Sequence, residues 1–206
     1  MSLEIHASDQ YVTAPASTTL AQLEAALPEN LHYRAPLIDL TLQDWVLSGG
    51  VGLLAAPVVR KDVLGLTYSS SSAGSVKAGG RVVKNVSGYD LVRLVVGSDP
   101  SLTQPVKLET VTLRLRPKPK ITRLEQEVSN LEAGFEELRG LNAAFGLAYQ
   151  QNNTWILRGE WWDAAPDWGT PALEVVPKTA WQDALGMFPR VVKTLSSLEQ
   201  RLLQAL

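Results

Sequence analysis

The sequence predicts an α+β protein: a mixed β-sheet flanked by helices over about residues 9–117, then a smaller strand–helix–hairpin layer over 118–206. Three observations predict it. The first is a strand followed by a capped helix near the start. Tyr11-Val12-Thr13-Ala14 is β-prone, and Thr19 with Gln22 three residues on has capping-box spacing. The second is strict alternation in Val106–Arg116, where Val111, Leu113 and Leu115 interleave with Thr110, Thr112, Arg114 and Arg116. That is the period of a strand with one buried face. The third is the break Pro117-Lys118-Pro119, which supplies no ladder donors and restricts its neighbours.

The remaining elements follow in order. Leu20, Leu23, Ala26 and Leu27 give the first helix an apolar stripe, and Pro28 ends it. Thr41 and Asp44 start a second short helix through Trp45, Val46 and Leu47, which runs into Gly49-Gly50. Val63–Ser69 is a strand, Gly74 a turn, and Ser75–Ala78 the hairpin partner; the serines 69–72 are a strand end and turn rather than a linker. Beyond the prolines, Ile121–Val128 reads as a strand and Asn130–Leu141 as a helix. Leu147–Gln151 and Thr154–Glu160 form a hairpin around Asn152-Asn153, because asparagine tolerates the left-handed turn region. An amphipathic helix capped at Ser196 closes the chain, and no internal repeat is visible.

Composition narrows the function classes. A formal charge of −2 argues against general nucleic-acid binding, which needs a basic face. No apolar run reaches the length of a membrane span, and Met1–His6 lacks a signal-peptide pattern, so a cytoplasmic location is expected. Without cysteine there are no disulfides, no thiolate nucleophile and no iron–sulfur ligation by this chain. His6 and His32 have no ligand spacing around them, so no metal site is expected. A serine hydrolase relay and a P-loop are not readable either.

The densest chemistry lies in Gly79-Gly80-Arg81-Val82-Val83-Lys84-Asn85-Val86-Ser87-Gly88-Tyr89-Asp90-Leu91. Glycines let a ligand approach the backbone closely. Asn85 donates and accepts hydrogen bonds, and Tyr89 offers a ring face. Lys84 brings a positive charge suited to a phosphate or another anionic group of a cofactor. Gly49-Gly50-Val51-Gly52 reads two ways: a helix C-cap with a turn, or a row of backbone N–H groups for a phosphate or ring edge. Trp155, Trp161, Trp162, Trp168 and Trp181 crowd the C-terminal region, as core packing or, for Trp161-Trp162, as an interface, the reading slightly favoured.

The run from Gly79 to Leu91, with the short helix ending at Gly97-Ser98, resembles the signature of the FAD-linked oxidases of the vanillyl-alcohol oxidase (PCMH-type) family. Within that family it is most similar to the FAD-binding subunits of bacterial glycolate oxidases. The resemblance implies that residues 9–117 are the second FAD subdomain and 118–206 a shortened, cap-like domain. It implies FAD contacts from Gly49, Gly50, Gly52, Lys84, Asn85, Gly88, Tyr89, Gly97 and Ser98. It further implies oxidation of a small 2-hydroxy acid within a complex containing flavoprotein and iron–sulfur subunits, the chain alone not being active. No catalytic base is named by it. Two departures sustain an alternative, a non-catalytic structural subunit that binds FAD weakly or not at all by itself. Asp99-Pro100-Ser101-Leu102-Thr103-Gln104-Pro105 replaces a glycine-containing family loop, and the family's N-terminal subdomain and C-terminal segment have no counterpart, so the chain resembles a member truncated at both ends.

Overall fold

The computed structural model describes residues 2–35, 39–49, 59–70, 74–80, 91–97 and 107–172. In chain order the elements are β1 (Glu4–His6), β2 (Tyr11–Pro15), α1 (Leu20–Ala26), β3 (Leu31–His32), α2 (Leu42–Leu47), α3 (Val59–Asp62), β4 (Val63–Ser70) and β5 (Gly74–Gly79). Then come α4 (Leu91–Val95), β6 (Lys107–Arg114), β7 (Arg116–Pro117), β8 (Ile121–Val128), α5 (Leu131–Gly140), β9 (Phe145–Gln151), β10 (Thr154–Trp162) and β11 (Thr170–Pro171). The C-terminal helix expected at Ser196 lies outside the described residues.

Five strands form the first sheet in the order β1-β2-β6-β4-β5, and four form the second, β11-β8-β10-β9. Every pairing among the described strands is antiparallel, where the sequence led us to expect a mixed sheet. The reason is local: β4–β5 and β9–β10 are hairpins, and β6 runs opposite to both β2 and β4. The α+β class itself holds.

Local chemistry sets the elements. Thr19 and Gln22 close a full capping box on α1, and Thr41 Oγ1 accepts from the Asp44 N–H at the start of α2. Asn130 does the same for the Ala133 N–H at the start of α5. Asn152 and Asn153 both take positive φ, 50° and 63°, as a two-residue hairpin turn requires. On α1, Leu20 and Leu23 are buried, but Ala26, expected on the apolar stripe, is exposed; the helix ends there, past the edge of the core.

The first core lies between one face of the first sheet and the helices α2, packed on β6, and α4, packed on β4 and β5. Val12, Trp45, Val95, Val111 and Leu115 are fully enclosed there. Leu147, Tyr149 and Ile156 from the second sheet join the same core. The opposite face of the second sheet carries α5 and a second core of Leu138, Ala148, Leu157, Trp161 and Trp168. Between the sheets, β3 pairs with β7. No helix among the described residues is long and apolar enough to cross a membrane.

Candidate functional site

The helix α4 organises the glycine-rich part of the chain. At its far end Gly97 takes φ 74°, and its N–H donates to the Val46 carbonyl at 2.9 Å. Gly49, past the end of α2, takes φ 77° and donates to that same carbonyl at 3.1 Å. A Cβ on Gly49 would stand 3.2 Å from the Gly97 Cα. Two helix ends are thus clasped backbone to backbone on one oxygen, with the positive φ that glycine favours at both and little room for a side chain at Gly49.

At the other end of α4 sits the close of the β4–β5 hairpin. A Cβ on Gly79, φ 72°, would overlap the Leu64 carbonyl and lie 2.7 Å from Val92 Cγ2 on α4. The Gly80 N–H donates to the Leu64 carbonyl at 3.0 Å, and Gly65 lies against the Gly80 backbone, 3.2 Å from where its own Cβ would be. Gly80 is different: no atom among the described residues comes within 4 Å of its would-be Cβ. Among the described residues nothing covers that side of the Gly80 backbone, so they leave a flat ring or a diphosphate free to approach it.

Two of the nine expected cofactor residues, Gly49 and Gly97, are therefore brought together, and their contact is with each other. Gly50, Gly52, Lys84, Asn85, Gly88, Tyr89 and Ser98 lie outside the described residues, as do Pro100 and Pro105. The segments that hold them, 50–58, 81–90 and 98–106, continue from Gly49, Gly80 and Gly97. All three of these glycines sit around a helix of five residues, about 7.5 Å long at the usual rise.

The sequence reading missed a second polar region, on the face of the second sheet that looks toward the first core. Along β10, Ile156, Arg158, Glu160 and Trp162 share this face, with Arg123 and Glu125 opposite on β8. Arg123 Nε donates to Glu160 Oε2 at 2.8 Å, and its Nη2 lies 3.6 Å from Glu24 Oε1 on α1. Lys118 reaches the same Glu24 oxygen at 3.7 Å. Burial pushes the Glu160 carboxyl up, against the pull of Arg123. Beside them His32 is 2% exposed; burial, then the charges of Lys118, Arg123 and Arg34, lowers its pKa to about 4. It is neutral at physiological pH. The second ion pair is Arg158 with Glu125, Nη2 to Oε2 at 3.0 Å, and Tyr149 donates its hydroxyl to that oxygen at 2.9 Å. Only a charge within an alternating strand signalled any of this.

The tryptophan pair splits. Trp161 is buried in the second core, its indole N–H donating to the Leu141 carbonyl at 3.0 Å. Trp162 points to the other face, edge-on to His32 with centroids 5.8 Å apart and beneath the Arg34 guanidinium at 5.3 Å. Adjacent residues of a strand face opposite ways, so the two cannot form one external patch. Trp161 corrects the interface expectation toward core packing, with Trp168 in the same core; Trp162 lines an internal seam. Trp181 lies outside the described residues.

No protein-family model matches the chain. It is 34% identical over 158 residues to the glycolate oxidase subunit GlcE of Escherichia coli, a match covering 70% of this chain and 44% of that protein. It is 34% identical over 98 residues to the glycolate oxidase subunit GlcD of Bacillus subtilis, covering 47% of this chain and 20% of that one. With the D-lactate dehydrogenase of Archaeoglobus fulgidus it shares 32% identity over 121 residues, 56% of this chain and 27% of the relative. The chain therefore spans less than half the length of each of these relatives. These similarities support a glycolate-oxidase-like family of FAD-linked oxidoreductases for this chain.

Proposed function

We propose that this chain is the FAD-binding subunit of a glycolate-oxidase-like complex that oxidises a small 2-hydroxy acid. The observation that supports it best is the gathering of Gly49, Gly97 and Gly79-Gly80 around α4, with the open side at Gly80. In this reading residues 9–117 are the second FAD subdomain and 118–206 its cap-like companion. Gly50, Gly52, Gly88 and Ser98 present backbone to the cofactor, while Asn85 hydrogen-bonds it. Lys84 supplies positive charge, and Tyr89 covers a ring face. FAD bound there would supply a hydride acceptor for the oxidation of a 2-hydroxy acid to a 2-oxo acid, the hydroxyl proton leaving to solvent. The chain's residues hold the ring, favour its anionic reduced form and exclude water from it. Electrons pass to flavoprotein and iron–sulfur subunits of the complex, in the cytoplasm.

The absorbance spectrum of the purified chain, before and after incubation with FAD, tests this. Flavin bands near one equivalent, with a rise in melting temperature on adding FAD, are the expected result, because a ligand specific to the native state raises stability. Gly88→Val should abolish both while leaving the circular dichroism spectrum unchanged. A colourless wild-type chain with no thermal shift would refute cofactor binding and leave a structural subunit.

A further inference from the structure

We infer that Arg158 is the carboxylate anchor for the acid substrate, an assignment that rests on the function proposed above. The two cross-strand ion pairs on the inner face of the second sheet are built alike and completed differently. Arg123–Glu160 is faced from across the seam by Glu24 of α1, whose Oε1 lies 3.6 Å from Arg123 Nη2, an ion-pair contact without a hydrogen bond. Arg158–Glu125 is met by nothing from the first sheet or its helices among the described residues. Arg158 is 3% exposed, and its Nη1 has no hydrogen-bond partner among the described residues. A buried guanidinium with idle donors is costly to leave unsatisfied.

Its direction is set by the strand. Arg158 stands opposite Leu147 and two residues from Ile156, both of which lie in the first core, so the guanidinium looks toward the first sheet and its helices. Its position is held from behind. Glu125 Oε2 takes both Nε, at 3.4 Å, and Nη2, at 3.0 Å, and Tyr149 fixes the same oxygen through its hydroxyl. The planar fork is thereby locked with Nη1 turned free. A fixed, desolvated pair of N–H donors suits one oxygen of a small carboxylate, a charge-assisted bond stronger than a neutral one. The neighbouring Leu147 and Ile156 are apolar, and the small hydrocarbon part of a 2-hydroxy acid asks for nothing else.

Calorimetric titration of the full chain, FAD-loaded and FAD-free, with oxalate, which is not turned over, tests the assignment. Wild type should bind oxalate and ignore the neutral analogue glycolamide. Arg158→Lys, which keeps the ion pair with Glu125 but loses the fork, should weaken oxalate roughly ten- to a hundredfold. The double variant Arg158→Gln/Glu125→Gln, which leaves no charge stranded, should weaken it at least as much. A purely structural Arg158 would instead lower the melting temperature with oxalate affinity unchanged, and that result in either variant overturns the inference. So does a wild-type chain that binds no oxalate, or one that binds glycolamide as well. Failure of the flavin reading looks different: oxalate binds and depends on Arg158, but the chain takes up no FAD.

Discussion

The glycine stems around α4 and the seam between the two sheets solve the same problem with opposite means. At the stems, backbone touches backbone: Gly49 on Gly97, Gly79 on the Leu64 carbonyl, with Val92 alongside. At the seam, long charged side chains reach across, Glu24 between Lys118 and Arg123, and Arg123 onto Glu160. The stems leave no room for an added atom at Gly79 and little at Gly49, while at the seam a charge removed alone strands its partner. The first kind of contact holds chain segments at fixed separation; the second ties the second sheet to α1.

The seam should break hardest. Arg123→Met removes the cation between two carboxylates, and Glu160 has a side chain only 4% exposed. A buried carboxylate left alone costs about 3–5 kcal/mol, read from the urea midpoint. The double variant Arg123→Met/Glu160→Leu should recover most of that loss, because replacing a buried pair by apolar residues is often neutral. A single variant as stable as wild type would mean that the seam charges are solvated.

The stems come next, and there neighbouring glycines should separate. Gly79→Ala places a methyl group into the Leu64 carbonyl at a positive φ, with a cost of about 3 kcal/mol from strain and overlap together. Gly80→Ala meets no described atom within 4 Å and should shift stability by no more than about 0.5 kcal/mol. If FAD lies against that backbone, the same Gly80→Ala change should weaken its binding in the flavin titration. Equal destabilisation by both substitutions would erase the distinction between a packed and an open glycine.

This contrast also explains what the sequence could reveal. The capping box at Thr19, the turn at Asn152-Asn153 and the alternation of Val111, Leu113 and Leu115 are local, each decided within a few residues, and each was readable. Gly49 and Gly97 were singled out for a cofactor, yet what they touch is each other, across a distance in sequence that no local pattern encodes. The seam was invisible for the same reason. Arg123 and Glu160 are 37 residues apart, and Arg158 and Glu125 are 33. On paper each is an ordinary charge in a strand. The antiparallel sense of the sheets was likewise a matter of which strands meet. Of the signature run, only Gly79, Gly80 and Leu91 fall among the described residues, so Lys84, Asn85, Gly88 and Tyr89 rest on the resemblance.

The smallest effect, a pH dependence, probes the seam without breaking it. His32 is neutral in the folded chain, with a pKa near about 4 against 6.5 unfolded. Its contribution is fully present above the unfolded value and is lost as pH falls toward the folded one, because the unfolded state then binds the extra proton. Between about pH 7 and about pH 5 that amounts to a loss of about 2 kcal/mol. Glu160 acts with the opposite sign. Its carboxyl is raised by burial, so its contribution is present at low pH and is lost as pH rises through the folded value. The wild-type chain should therefore lose less than the His32 contribution alone on acidification. In His32→Asn the His32 contribution is gone, and the loss of stability on acidification over the same interval should shrink. Urea midpoints at several pH values read the difference. An unchanged pH profile in His32→Asn would mean that the ring accepts its proton in the folded seam as easily as in water, which its enclosure beside Lys118, Arg123 and Arg34 opposes.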